Sequence, residues 1–301
     1  VHLILYEGRP EVANDAAAKA FARIAELNGI FSDYDPDSET MRLCRSATPG
    51  EPQPVSDDLW KVLLAAQDLS RRSDGAFDVT IGPLTKLWRR ARRRYELPDP
   101  HSLTETRERV GWKHLTIHPE QPRLTLHRRD LQLDFGGIVK GYAAEAAVRV
   151  LKEHGVPRSL VAIDGDIAAG DAPPGQPGWR IGVAPLNASE RTPSVWLKLV
   201  NASVSTAGDA FQYVDIGGVR YSHIVDPRTG LGLTTRCSVT VVARHGITAD
   251  GLDTTAVLMG PEAGRTLIEE SAAAGLLVTV VDGKPEVVRT RGLEEWLWPL
   301  E

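Results

Sequence analysis

Cysteine is almost missing from this chain: Cys44 and Cys237 are the only two in 301 residues. Two thiols that far apart in sequence make neither a disulfide framework nor a thiolate metal cluster, and they read as ordinary buried or half-buried side chains. No apolar run reaches about 18 residues, the length that a membrane-spanning helix needs. Basic excess is missing too, since 35 Lys plus Arg stand against 40 Asp plus Glu for a formal charge of −5. A polyanion is therefore not gathered by the general field of the chain, which excludes sequence-independent nucleic-acid binding as its main work. None of the eight histidines pairs with another at metal-ligand spacing, and this argues against zinc. The chain opens on the strand-like Val1-His2-Leu3-Ile4-Leu5-Tyr6 without an initiator Met, a basic n-region or a cleavage site. The expectation from that start is that a signal or lipid-anchoring segment has been trimmed away ahead of it.

What is present is a globular composition, 42% hydrophobic and 25% charged, spread over one continuous mixed α and β unit with no repeat and no low-complexity linker. Helical spacing predicts a first helix over 12–28 with Gly29 as its stop, and a second over 57–72 capped by Ser56 and burying Leu59, Trp60, Leu63 and Leu64. A third is predicted over 138–154, a fourth over 250–259 and a fifth over 261–273. Strands are expected over 160–167, 180–183, 195–200, 212–215, 221–225 and 238–243, with a closing hairpin around Asp282-Gly283. Arg89, Arg90, Arg92, Arg93 and Arg94 crowd one short stretch. In an acidic chain this reads as a solvated helix end, with an anionic-partner patch as the competing reading.

Three segments could hold chemistry. In Asp134-Phe135-Gly136-Gly137-Ile138-Val139-Lys140-Gly141-Tyr142 a strand ends, two glycines let backbone come close, and a helix opens with unpaired N–H groups and a nearby lysine. Such an end suits an anion, and glycine pairs also open helices for packing alone; both readings stand. In Ala249-Asp250-Gly251-Leu252-Asp253-Thr254 the side chains of Asp250 and Thr254 lie one helical turn apart with Asp253 beside them. Carboxylate and hydroxyl oxygens of that kind suit Mg²⁺ completed by waters and a substrate phosphate, whereas the plainer reading makes Asp250 a helix cap. Finally, His223 stands in Tyr221-Ser222-His223-Ile224-Val225-Asp226-Pro227-Arg228-Thr229-Gly230 among polar neighbours. It is either a general base or a structural strand histidine.

The order of these segments, together with Phe31-Ser32-Asp33-Tyr34, Ser73-Asp74-Gly75-Ala76-Phe77-Asp78-Val79-Thr80-Ile81-Gly82-Pro83-Leu84 and Thr206-Ala207-Gly208-Asp209, resembles the ApbE family of FAD:protein FMN transferases over residues 30–260. The resemblance implies an α+β fold, a single mixed domain over 1–301 with two lobes and the flavin site between them. It implies binding of FAD as substrate, Mg²⁺-assisted cleavage of its pyrophosphate, release of AMP, and attachment of FMN to a threonine or serine of an acceptor flavoprotein such as a redox-pump subunit. Hydrolysis of FAD to FMN and AMP, or FAD binding without turnover, are the alternatives. Position by position, it implies metal ligation by Asp250, Thr254 and the Gly137 carbonyl with Asp253 close by. Flavin contacts are implied for Tyr34, Ala76, Phe77, Asp78, Asp134, Lys140 and the backbone around Val225, and His223 is the candidate base. It also implies an extracytoplasmic protein, periplasmic or lipid-anchored. The chain departs from the family pattern at Ala207, where a serine is usual, at Asp164-Gly165-Asp166, where two glycines usually precede the aspartate, and in lacking an early flavin-contacting methionine.

Overall fold

The computed structural model describes residues 1–186, 192–193, 195–210 and 212–299. They form an α+β protein divided into two compact units, the first made of Val1–Glu26, Ile138–Ala210 and Cys237–Glu301, the second of Leu27–Gly137 and Phe211–Arg236.

The first unit is built on a seven-stranded sheet in the order His2–Leu5, Ser159–Ile163, Asp166–Ala169, Ala202–Gly208, Cys237–Ala243, Ala274–Val281, Lys284–Arg289. Every neighbouring pair is antiparallel. Alternation sorts its side chains: Val161 and Ala168 turn to one face, with Ala144, Ala147 and Leu151 of the helix Val139–Glu153. Leu160 and Ala169 turn to the other, with Trp179, Leu197 and Leu199 of a short antiparallel hairpin. Each fully buried leucine of this kind contributes about 1.5–3 kcal/mol. The expected single strand over 160–167 is in fact two strands of this sheet, joined by a turn at Asp164-Gly165. Asp164 has φ 52°, the left-handed region in which an aspartate is tolerated. The strand Ala202–Gly208, central in the sheet, was not expected at all.

The second unit holds the helices Glu39–Ser46, Asp57–Arg72, Gly82–Arg94 and Pro100–Arg107, a three-stranded sheet in the order Pro52–Pro54, Arg123–Leu126, Leu115–His118, and the hairpin Tyr213–Ile216 with Val219–Ser222. The helix Asp57–Arg72 starts and stops where its sequence indicated: the Ser56 hydroxyl accepts from the Leu59 amide, and Leu59, Val62, Leu63 and Ala66 are buried. Proline at the first turn opens Gly82–Arg94, whose Trp88 is 1% exposed and donates from its indole N–H to the Ser222 carbonyl at 3.0 Å. The first helix, Pro10–Phe31, does not stop at Gly29 but continues two residues beyond it. No helix among the described residues is long and apolar enough to cross a membrane.

Candidate active site

In the first unit, the helices Val139–Glu153 and Gly246–Met259 cross where Gly141 meets Gly246. A Cβ on Gly141 would stand 2.2 Å from the Gly246 carbonyl oxygen, and one on Gly246 would stand 2.0 Å from that of Gly141. Only glycine at both positions lets the backbones touch. Each helix then caps the other. Asp250 Oδ2 accepts from the Gly141 amide at 2.8 Å, and Glu145 Oε2 accepts from the Gly246 amide at 2.8 Å. The helix carrying Asp250 begins four residues earlier than the spacing indicated, so Asp250 is not the cap of its own helix. The Gly141 N–H, which the sequence offered to a phosphate, is taken by a carboxylate of the chain itself.

Besides Glu145, three carboxylates and one ammonium lie around that crossing. Asp166, Asp250 and Asp253 are 1%, 3% and 1% exposed, and Lys140 Nζ lies 2.7 Å from Asp166 Oδ2. Ser205 from the central strand brings its Oγ against both Asp166 and Asp253. A hydroxyl has one proton to donate, so Ser205 can serve only one of the two carboxylates as a donor. Burial, together with the charges of Asp250 and Asp166, pushes the Asp253 carboxyl well up. Burial and Asp166 push Asp250 up to about 8, against the opposing pull of Lys140. Lys140 is held protonated: burial alone lowers it, but Asp166, Asp250 and Asp253 together raise it further. Asp253 Oδ1 is buried and has no hydrogen-bond partner among the described residues.

Those features fit a hard divalent cation: oxygen donors, carboxylate charge in surplus over the single ammonium, and one buried carboxylate oxygen left over. Thr254, half-buried, follows Asp253 directly and stands one turn beyond Asp250. Among the described residues no three His, Cys, Asp or Glu side chains are grouped to hold a metal by themselves. The remaining ligands of such an ion must then be hydroxyl, carbonyl, water or substrate oxygen, the kind of shell that Mg²⁺ keeps.

In the second unit, Arg89 gathers the flavin-contact candidates. Its guanidinium pairs with Asp33, lies 3.5 Å from Asp134 Oδ2, and sits over the Tyr34 ring at 4.6 Å from the centroid. Asp134 Oδ1 accepts from the Gly136 amide at 2.9 Å; burial and Asp33 raise its pKa while Gly136 and Arg89 lower it. Tyr34 is 77% exposed, an aromatic face open to solvent. The turn at Ala76, Phe77 and Asp78 is buried. The Asp78 carboxylate is filled by its own chain, one oxygen accepting from the Thr80 amide and hydroxyl at 2.7 Å each and the other from the Trp112 amide at 2.8 Å. Its side chain shapes the loop, which leaves backbone as the surface that this turn offers to a ligand. Val225 is buried and bridges Gly232.

His223 is half-buried, with Nδ1 3.1 Å from the Gln212 carbonyl. A carbonyl only accepts, so a ring proton belongs on Nδ1, and in the neutral ring Nε2 is then the nitrogen able to accept. No local pattern marks Ser205, Asp166 stands out only within the departure Asp164-Gly165-Asp166, and Arg89 lies in a run that reads as solvated. Asp164, the other half of that departure, is exposed on its turn, while Asp166 two residues on is buried. Arg89 could have been found from its place one turn beyond Thr85, on the helix that follows the buried turn.

The fold is α+β, with a buried oxygen-donor cluster in one unit and a half-buried imidazole in the other, groups of the kind that enzymes handling oxyanion substrates use. The comparisons narrow this. The model of the ApbE family matches residues 1–277, and the chain belongs to that family. A relative from Vibrio cholerae named FAD:protein FMN transferase is 34% identical over 263 residues, covering 86% of this chain and 78% of the relative. One of the same name from Klebsiella pneumoniae is 28% identical over 288 residues, covering 94% and 79%. Among solved structures, the flavin transferase ApbE from Vibrio cholerae superposes with a TM-score of 0.84 at 28% identity, covering 97% of this chain and 92% of that one. The apo flavinyl transferase ApbE of Pseudomonas stutzeri gives 0.81 at 32% identity, covering 94% and 88%.

Proposed function

We propose that this protein transfers FMN from FAD to a threonine or serine hydroxyl of an acceptor flavoprotein, with AMP as the leaving group and Mg²⁺ required. The observation that carries the metal requirement is the surplus of buried carboxylate around Lys140, with Asp253 Oδ1 unpartnered. The acceptor chemistry rests on family membership and on His223 presenting a basic nitrogen.

Asp250 and Thr254 would hold the cation, with Asp253 beside them and the Gly137 carbonyl as a further donor. Bound there, a divalent cation supplies neutralisation of the charge that develops on the pyrophosphate as it breaks. The chain does the rest by positioning. Tyr34 offers a stacking face to a flat ring, and Asp134 accepts from a ring N–H. His223 Nε2 takes the proton of the incoming hydroxyl; that oxygen bonds to the FMN phosphorus in line while the bond from phosphorus to the bridging oxygen breaks and AMP departs. The Gln212 carbonyl keeps the imidazole in the tautomer that can accept this proton. Protonation of Nε2 in acid abolishes the base, so the rate falls on the acid side. On the family resemblance alone, the proposal extends to work outside the cytoplasm, which cell fractionation checks.

The test is incubation with FAD, Mg²⁺ and an acceptor domain carrying the target threonine, followed by a denaturing gel read for flavin fluorescence and by an assay for AMP. Fluorescent acceptor with one AMP per label is the expected result. AMP with free FMN and no label makes the protein a pyrophosphatase. Bound FAD with neither product makes it a carrier.

A further inference from the structure

Arg89 has three neighbours at once, and two of them are flavin-contact candidates. It pairs with Asp33, approaches Asp134 and faces the exposed ring of Tyr34. Its side chain is 27% exposed and the two carboxylates 14% and 10%, unlike the exposed Arg90, Arg93 and Arg94 of the same helix. A guanidinium already shared between two carboxylates has little charge left for a phosphate, so this is not an anion site. Its planar fork does something else. One edge lies 3.5 Å from Asp134, opposing the upward push that burial and Asp33 give its pKa, and one face braces an aromatic ring that stands 77% exposed.

We infer that Arg89 is a positioning residue for substrate binding: it fixes Tyr34 as a stacking platform and Asp134 as an acceptor, so that together they select a flat heteroaromatic ring presenting an N–H. This rests on the reading of the protein as an FAD-using transferase and adds a residue and a recognition chemistry to it. Both ends of FAD carry such a ring, the flavin with its imide N–H and the adenine with its amino group. Because Arg89 acts through Tyr34 and Asp134, removing it weakens binding of the ring, and the effect falls on KM for FAD more than on kcat.

The experiment is titration of the full chain with FAD by quenching of flavin fluorescence, with riboflavin and AMP as separate probes. Arg89→Ala should raise the FAD Kd about tenfold, the size of a lost cation–π and charge-assisted contact. Arg89→Lys should come close to it, since an ammonium cannot reach two carboxylates while facing a ring. Tyr34→Ala should also cost about tenfold, and the double variant well under the hundredfold of independent sites, because the two act as one. Loss on riboflavin assigns the flavin ring and loss on AMP the adenine; either supports the inference. Should Arg89→Ala fail to fold, Asp33→Asn keeps the guanidinium against the ring and is expected to raise the Kd about threefold. Unchanged FAD affinity in the folded variants, fully multiplicative losses, or a fall in kcat at constant KM would overturn it. Affinity is read without turnover, so a wild-type chain that binds FAD and transfers nothing defeats the proposed function while the variants still judge Arg89.

Discussion

In the first unit Asp166, Asp250 and Asp253 face one ammonium, that of Lys140; in the second, Asp33 and Asp134 share one guanidinium, that of Arg89, and Asp134 also takes the Gly136 amide. Both clusters are largely buried and built from the same residue types. They differ in balance. Around Lys140 the carboxylates repel, two are pushed towards protonation, and one oxygen is left without a partner. Around Arg89 the surplus is one carboxylate rather than two, and the guanidinium is braced on an aromatic ring. Surplus buried charge is costly unless something from outside pairs with it, so the first arrangement points to an ion and the second to a scaffold.

The largest effect that separates them is on turnover. Asp250→Ala should lower Mg²⁺-dependent FMN transfer at least about a hundredfold with the fold intact by circular dichroism, and retained Mg²⁺-dependent turnover would count against the metal site. His223→Ala should cost about 10²–10⁴ in rate as a lost general base, and an unaltered rate would remove it from that role. Next comes the crossing that frames the acidic cluster. Gly141→Ala drives a methyl against the Gly246 carbonyl and should destabilise by about 3 kcal/mol in urea unfolding. A neutral outcome would mean that this crossing is not tight.

Smaller in size, but closer to the comparison, is the response to neutralising one carboxylate in each place. Without metal, Asp253→Asn should raise stability by about 1 kcal/mol by relieving repulsion. Asp33→Asn should lower it by about 0.5 kcal/mol by loosening a matched, partly exposed pair. Equal signs would erase the distinction. The pH dependence follows from the same imbalance. Asp250 titrates near 8 in the fold and an unperturbed aspartate near 3.8, so between those values the folded chain holds a proton that the unfolded chain releases. The metal-free fold therefore loses stability as pH rises through that window, and the stabilisation by Mg²⁺, which binds the ionised form, grows with it. Melting curves with and without Mg²⁺ at about pH 6 and about pH 8.5 check this.

Much of this was legible in the residues themselves. Ser56 and the apolar face after it define the helix Asp57–Arg72, and Asp282-Gly283 defines the last hairpin. Family blocks point to Asp250, Asp253, Thr254, Lys140 and His223. The strand Ala202–Gly208 was hidden because its buried positions include Ser203 and Ser205, 2% and 3% exposed, whose hydroxyls break the apolar pattern while serving the interior. Asp166 was hidden by a turn: reading 160–167 as one strand gives no reason for a buried carboxylate at its end. Arg89 was hidden by its neighbours, since four exposed or half-buried arginines beside it made the whole run look solvated. In each case the missing information is a long-range partner, Asp253 for Ser205, Lys140 for Asp166, Asp134 for Arg89, which local pattern does not encode.

The central claim is that the carboxylate surplus around Lys140 is completed by a divalent cation that binds through Asp250. Its most direct test is a Mg²⁺ titration of the FAD-loaded protein at about pH 8, followed by melting temperature, in wild type and in Asp250→Asn. A saturable rise of several degrees in the wild type, absent from the variant, is the predicted result. A wild type that does not respond, or a variant that responds equally, would contradict the account.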